Sequence, residues 1–133
     1  MPFTYARDDI RRRVRITLAD PLTVADLIAS IDRQFADGTW DYGLLVDGRA
    51  IAAATQSSDV QEFLTHVREL VGTHGPRGPI AFVAKESAVI GSAQRYVLFG
   101  GSAEAFEVFW AIDDAQGWLD QQTAKSNKAE TPG

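Results

Sequence analysis

Tyr42-Gly43-Leu44-Leu45-Val46-Asp47 and Ile80-Ala81-Phe82-Val83-Ala84 are the two stretches that decide the fold. Neither alternates. The Leu44-Leu45-Val46 centre and the run from Ile80 to Ala84 are apolar at consecutive positions, so each strand is covered on both faces. Strands of that kind need helices above and below them. A helix between two of them in the sequence makes them parallel neighbours through a right-handed crossover.

Working outward, a helix is expected between them. It begins near Ser57 or Ser58, with Gln61 three residues after Ser58, and carries Val60, Phe63, Leu64, Val67 and Val71 on one face, with Gly72 as its end. The loop from Gly72 to Pro79 then enters the second apolar strand. Upstream, Thr23 is a good helix N-cap with Asp26 three residues on, and Leu22 and Leu27 form a staple around it. Val24, Leu27, Ile28, Ile31 and Phe35 recur at helical spacing until Gly38, which suits the left-handed residue past a helix end. Before that helix, Phe3 and Tyr5, the interruption Arg7-Asp8-Asp9, and the alternating Val14, Ile16 and Leu18 read as a half-buried antiparallel hairpin.

Downstream, Glu86 to Phe99 is an Ala-rich helix with Ala93, Tyr96 and Val97 inward and Gly100-Gly101 as its stop. Phe106 to Trp110 is the last strand. Asp113 is expected to cap a short final helix, with Gln116 at its third position and Trp118-Leu119 as its buried end. Gln121 to Gly133 lacks apolar anchors and reads as a solvated tail. Residues 1–120 therefore form one α/β domain: a four- or five-stranded mixed sheet, an N-terminal antiparallel hairpin followed by parallel strands, with about four helices packed on it.

Composition bounds the function. The 133 residues carry 13 Lys+Arg against 18 Asp+Glu and no Cys, a formal charge of −5. Roughly two-thirds of the unfolded surface is buried at this length, so the core needs neither disulfide nor structural zinc. The acidic balance argues against a general nucleic-acid or anionic-membrane binder, which relies on a positive field. No apolar run approaches a membrane span, and the first fifteen residues do not resemble a secretory signal, so the chain reads as cytoplasmic.

No complete catalytic constellation stands out. The glycine-rich loop from Gly72 to Gly78 leaves a helix and enters a strand, the reverse of a phosphate cradle. His66 and His74 have no Cys or acidic loop beside them, so neither a metal nor a cofactor is expected. A Ser/His/Asp set drawn from Ser57 or Ser58, His66 and Asp47 lacks the Gly-x-Ser-x-Gly elbow. Asp8-Asp9 and Asp113-Asp114 fit turn and capping roles. The run Arg11-Arg12-Arg13-Val14-Arg15 fits the turn and outer face of the hairpin, where arginine discourages edge pairing. The carboxyl edge of the parallel strands is where a ligand or partner binds most naturally, which nominates Asp47, Arg49, Lys85 and Glu86, with Ser57 and Ser58 nearby. An Asp47 or Glu86 ion pair with Arg49 or Lys85 is the structural alternative.

The assembled pattern resembles a known family. Val14-Arg15-Ile16-Thr17, the helix after Leu22-Thr23, Leu44-Leu45-Val46-Asp47 with Arg49, and Phe106-Glu107-Val108-Phe109 followed by Asp113-Asp114-Ala115-Gln116-Gly117-Trp118-Leu119 look like the STAS/SpoIIAA-like proteins. The resemblance implies a four- or five-stranded mixed sheet with helices. Better-known members, the anti-anti-sigma factors, bind a regulatory kinase and are switched by phosphorylation of a Ser or Thr in an Asp-Ser-Ser-Gly-type segment. Here that segment reads Gln56-Ser57-Ser58-Asp59, without the flanking Asp and Gly. The nearer branch is the SpoIIAA-like group, related in fold to SEC14-type lipid carriers. The leading expectation is a non-enzymatic regulatory or protein-interaction module, with Ser57 or Ser58 as phosphoacceptor or helix cap. The alternative is a small-molecule or lipid-binding domain with an apolar pocket between sheet and helices, Trp40 or Trp110 near its mouth; a hydrolase comes third.

Overall fold

Alternation in the first residues becomes a hairpin, in which β1 (Phe3–Asp8) runs antiparallel to β2 (Arg13–Ala19). Asp8 makes the turn, its Oδ1 accepting the backbone N–H groups of Ile10 and Arg11 at 3.1 Å each. The computed structural model of the chain describes residues 3–52, 56–75, 77–98 and 105–130. After the hairpin come α1 (Val24–Ala36), β3 (Gly43–Ala50), α2 (Ser57–His74), β4 (Ile80–Val83), α3 (Ser87–Leu98), β5 (Phe106–Phe109) and α4 (Ile112–Glu130). The five strands form one mixed sheet in the order β1-β2-β3-β4-β5, parallel from β2 onward. This is the expected α/β sheet with four helices.

Crossovers of one hand that step the same way along a sheet leave their helices on one face. Leu27 of α1 and Val89 and Ile90 of α3 accordingly meet Val14, Ile16, Leu44 and Ile80, and α2 lies between the two helices. The opposite face belongs to α4, whose Ala115 and Leu119 seat on Leu45, Ala81 and Val83. Leu44 and Leu45 thus feed different cores, which is why β3 does not alternate.

Thr23 and Asp26 form a reciprocal capping box, the short Asp side chain reaching back to the Thr23 N–H at 3.0 Å. Gly38 takes a left-handed φ of 74° after the helix. Several local expectations are corrected. The N-cap of α2 is Gln56, which makes no side-chain capping bond, so Ser57 and Ser58 are not at the N-cap position but in the first turn. That helix runs past Gly72 to His74, and Gly75 is its C-cap. Helix α4 begins at Ile112, which places Asp113 in the first turn, and it extends for 19 residues rather than stopping near Leu119. Trp118 is half-buried against Phe109, at 5.8 Å between ring centroids. Arg13 is no outer-face residue: it is 8% exposed and its Nη2 donates to Asp120 of α4 at 2.8 Å. The side chains of Tyr96 and Val97, and Gly100-Gly101, lie outside the described residues.

Gly78 is where the backbone leaves no room. A Cβ there would sit 2.5 Å from the Asp41 carbonyl oxygen and 2.6 Å from that of Tyr42. Main-chain oxygens cannot swing aside as a side chain can, so this loop is held against the start of β3.

Candidate functional site

Two places gather chemistry: the carboxyl edge on the α4 face, and the space under α1–α3. At the edge, Asp47 follows Leu45 on the same face of β3, in register with Thr17 of β2 and Val83 of β4. It is 5% exposed. Arg49 forks onto it, Nε to Oδ1 at 2.9 Å and Nη2 to Oδ2 at 2.8 Å, and donates its backbone N–H to Oδ1 at 3.1 Å. Arg15 Nη2 adds a bond to Oδ2 at 3.2 Å. The Arg49 fork holds the Asp47 carboxyl down to about 2, from its ordinary 3.8, although burial pushes the other way. The same pairing raises Arg49.

This arrangement is an ion cluster, built to hold two strands together. A carboxyl ionised down to about pH 2, with four hydrogen bonds on its two oxygens, is a poor proton carrier near neutrality. Two guanidinium groups around one carboxylate leave a local excess of one positive charge. Asp47 and Arg49 are therefore together, as the ion-pair alternative anticipates. Lys85 and Glu86 lie beyond the end of β4, and among the described residues neither makes an ion pair with them. The Glu86 carbonyl instead accepts the N–H groups of Val89 and Ile90 at the start of α3.

Ser58 is exposed, in the first turn of α2, which opens at the carboxyl edge but on the face opposite the Asp47 side chain. The side chain of Ser57 lies outside the described residues. His66 pairs with Asp32 through Nε2 at 2.7 Å, so the imagined Ser, His and Asp47 are not assembled. Among the described residues no group of three or more acidic, His or Cys side chains is placed to hold a metal. No helix there is long and apolar enough to cross a membrane.

The second place is a cavity of about 120 Å³. Ile16, Leu44 and Phe82 floor it, and Leu27, Phe63 and Val89 roof it. Its polar lining is Ser30, Ser92 and Arg77. The two serines turn their hydroxyls onto their own helices, Ser30 Oγ donating to the Leu27 carbonyl at 2.7 Å and Ser92 Oγ to that of Ala88 at 3.3 Å. Arg77 is 2% exposed, donates through Nη2 to Gln34 Oε1 at 3.0 Å, and lies 5.3 Å above the Trp40 ring.

Neither tryptophan expected at the mouth lines this cavity. Trp40 is buried beside Phe35 with its Nε1 donating to the Gly75 carbonyl at 2.9 Å, and Trp110 is 64% exposed beyond β5. Sequence reasoning missed Gln34 and Arg77. Gln34 had a signal, a polar residue three positions after Ile31 and seven after Leu27 on the apolar stripe of α1. Arg77 had none beyond standing three residues before a fully apolar strand.

No protein-family model matches the chain, and no curated protein or solved structure does.

Proposed function

We propose that the chain is a non-enzymatic binding module that takes a small apolar molecule between its sheet and helices α1–α3. The observation that carries this reading is the cavity of about 120 Å³ with its aliphatic and aromatic lining. Apolar side chains facing an open pocket stay in contact with water, and covering them with an apolar molecule gains about 25 cal/mol per Å² removed from water. An enclosed apolar cavity of about 150 Å³ holds benzene, so the inner part of this pocket suits an apolar group of about that size. The reading agrees with a STAS/SpoIIAA-like assignment, whose SEC14-type relatives carry ligands, while favouring a much smaller cargo.

The test is a titration of the protein with toluene or indole, followed by amide chemical shifts and melting temperature. Shifts concentrated at Leu27, Phe63 and Val89, with a rise in melting temperature, support the reading. A flat response to both overturns it.

A second reading, a regulatory module recognised by a protein such as a kinase, is favoured by Trp110 standing 64% exposed at the carboxyl edge and by the exposed Ser58. A phosphate on Ser58 would face first-turn N–H groups, opposed by the neighbouring Asp59. Ser57→Asp and Ser58→Asp should abolish partner binding that the Ala variants preserve. Identical binding by all four, with no phosphate on cell-derived protein, removes this reading.

A further inference from the structure

We infer that the sheet face opposite the cavity carries a second site, which takes a small carboxylate between Arg15 and Arg49. Both guanidinium groups pair with a single carboxylate, that of Asp47. Arg12, Arg13 and Arg33, by contrast, each have a carboxylate of their own, Asp41, Asp120 and Asp37. A guanidinium stays protonated under all physiological conditions. The cluster therefore holds one positive charge that Asp47 does not balance, in a chain whose formal charge is −5.

That charge is presented outward and held in position. The Asp47 side chain is 7% exposed, whereas those of Arg15 and Arg49 are each 42% exposed. Asp47 Oδ2 accepts Arg49 Nη2 at 2.8 Å and Arg15 Nη2 at 3.2 Å, so the two nitrogens stand no further apart than the sum of those bonds, 6.0 Å. Of the five N–H groups on each guanidinium, Arg49 gives two to Asp47 and Arg15 gives one. An incoming oxyanion can thus bond to both groups without displacing Asp47. A buried carboxylate that already fixes the two forks lowers the ordering cost of that step.

The surroundings leave room for it. Helix α4 packs on β3, β4 and β5, while on the same face β1 sets Ala6 opposite Arg15 and Thr4 opposite Thr17, and Thr17 is in register with Asp47. Thr4 and Ala6 are short and exposed, so the sheet beside the arginines is an open shelf. One unbalanced charge calls for a monoanion, and the planar fork of arginine matches a carboxylate edge. A phosphate dianion would overshoot the local charge in an already acidic chain. Because the shelf faces water, the dissociation constant is expected to be on the order of millimolar.

The experiment replaces sodium chloride with sodium acetate at constant ionic strength and follows the arginine Nε–H resonances of the wild-type protein; a parallel series uses sodium phosphate. The Arg15 and Arg49 resonances should shift along one saturating curve in acetate, while those of Arg12 and Arg33, comparably exposed but paired one-to-one, should not saturate. Arg49 keeps its fork on Asp47 without Arg15, so Arg15→Gln should fold and bind acetate about tenfold more weakly, with Arg15→Lys between the two. Linear shifts, or equal shifts at all four arginines, overturn the site. Tighter binding of phosphate than of acetate overturns the carboxylate assignment. The cavity is read by its own toluene titration, so either site can fail alone.

Discussion

The two faces of the sheet are made by the same strands and close differently. On one, a single helix seats its Ala115 and Leu119 on Leu45, Ala81 and Val83, all nearly or fully buried, and ion pairs such as Arg13 with Asp120 extend the closure at its margin. On the other, three helices cover the same sheet with larger side chains and leave about 120 Å³ open. Small alanines at the first contact let one helix approach closely. Three helices must also pack side by side, α1 on α2 and α2 on α3, over a sheet whose twist accumulates roughly 80–100° across five strands. The helices cannot follow that twist and remain in mutual contact everywhere. Close fit is thus easily reached under one helix, and space for a ligand arises naturally under three.

The largest test of this contrast is a pair of leucines. Leu119→Ala, at a fully buried position on the tight face, should cost about 3–5 kcal/mol, whereas Leu27→Ala, half-buried over the cavity, should cost about 1–2 kcal/mol. Urea unfolding of the two variants measures the difference, and equal losses would mean that the faces are equally well filled.

Asp47 sharpens the comparison from the electrostatic side. Asp47→Asn should cost about 1–3 kcal/mol near neutral pH, because Arg15 and Arg49 lose a charged acceptor. Its folded-state carboxyl lies at about 2 against an ordinary 3.8, so the folded protein binds the proton less readily than the unfolded chain. The stabilisation is therefore complete above about pH 4 and fades as the pH falls through about 2. Unfolding curves of wild type and variant should converge over that interval, and a constant gap down to pH 2 would remove Asp47 as its source.

Added volume should act with opposite sign on the two faces. Ala81→Val crowds the α4 contact and should destabilise by about 1–2 kcal/mol, while Ala93→Val reaches into the cavity and should stabilise by up to about 1 kcal/mol. The second variant should also weaken toluene binding. The smallest effect is expected at the end of α4. Leu119 is the last buried residue described, so truncation after Gln122 should move the melting temperature by less than about 2 °C. A larger fall in calorimetry would show that the helical extension supports the tight face.

Much of the fold was legible because it rests on local periodicity. The stripe of α1, the alternation of β2 and the unbroken apolar centres of β3 and β4 each carry their burial in their spacing, and chain order with crossover handedness does the rest. Helix ends were read less well. Helix α2 starts at Ser57, within the expected Ser57 or Ser58, but its N-cap is Gln56 and it runs past Gly72 to His74, since a glycine marks a helix end only where the backbone turns left-handed, as it does at Gly75. Of the edge residues, Asp47 and Arg49 were placed together by being two apart on one strand, whereas Lys85 and Glu86 share the edge without joining the cluster.

The sequence by itself determined the α/β class, the mixed sheet and the strands covered on both faces, since each follows from the repeat of apolar residues along a short length of chain. Only the tertiary structure decided that Arg13 would be drawn under α4, that Trp40 would sit beside Gly75, and that Gln34 and Arg77, 43 residues apart, would meet at the wall of a cavity. A polar side chain is kept in the interior by partners from distant segments, and no local pattern records who those partners are.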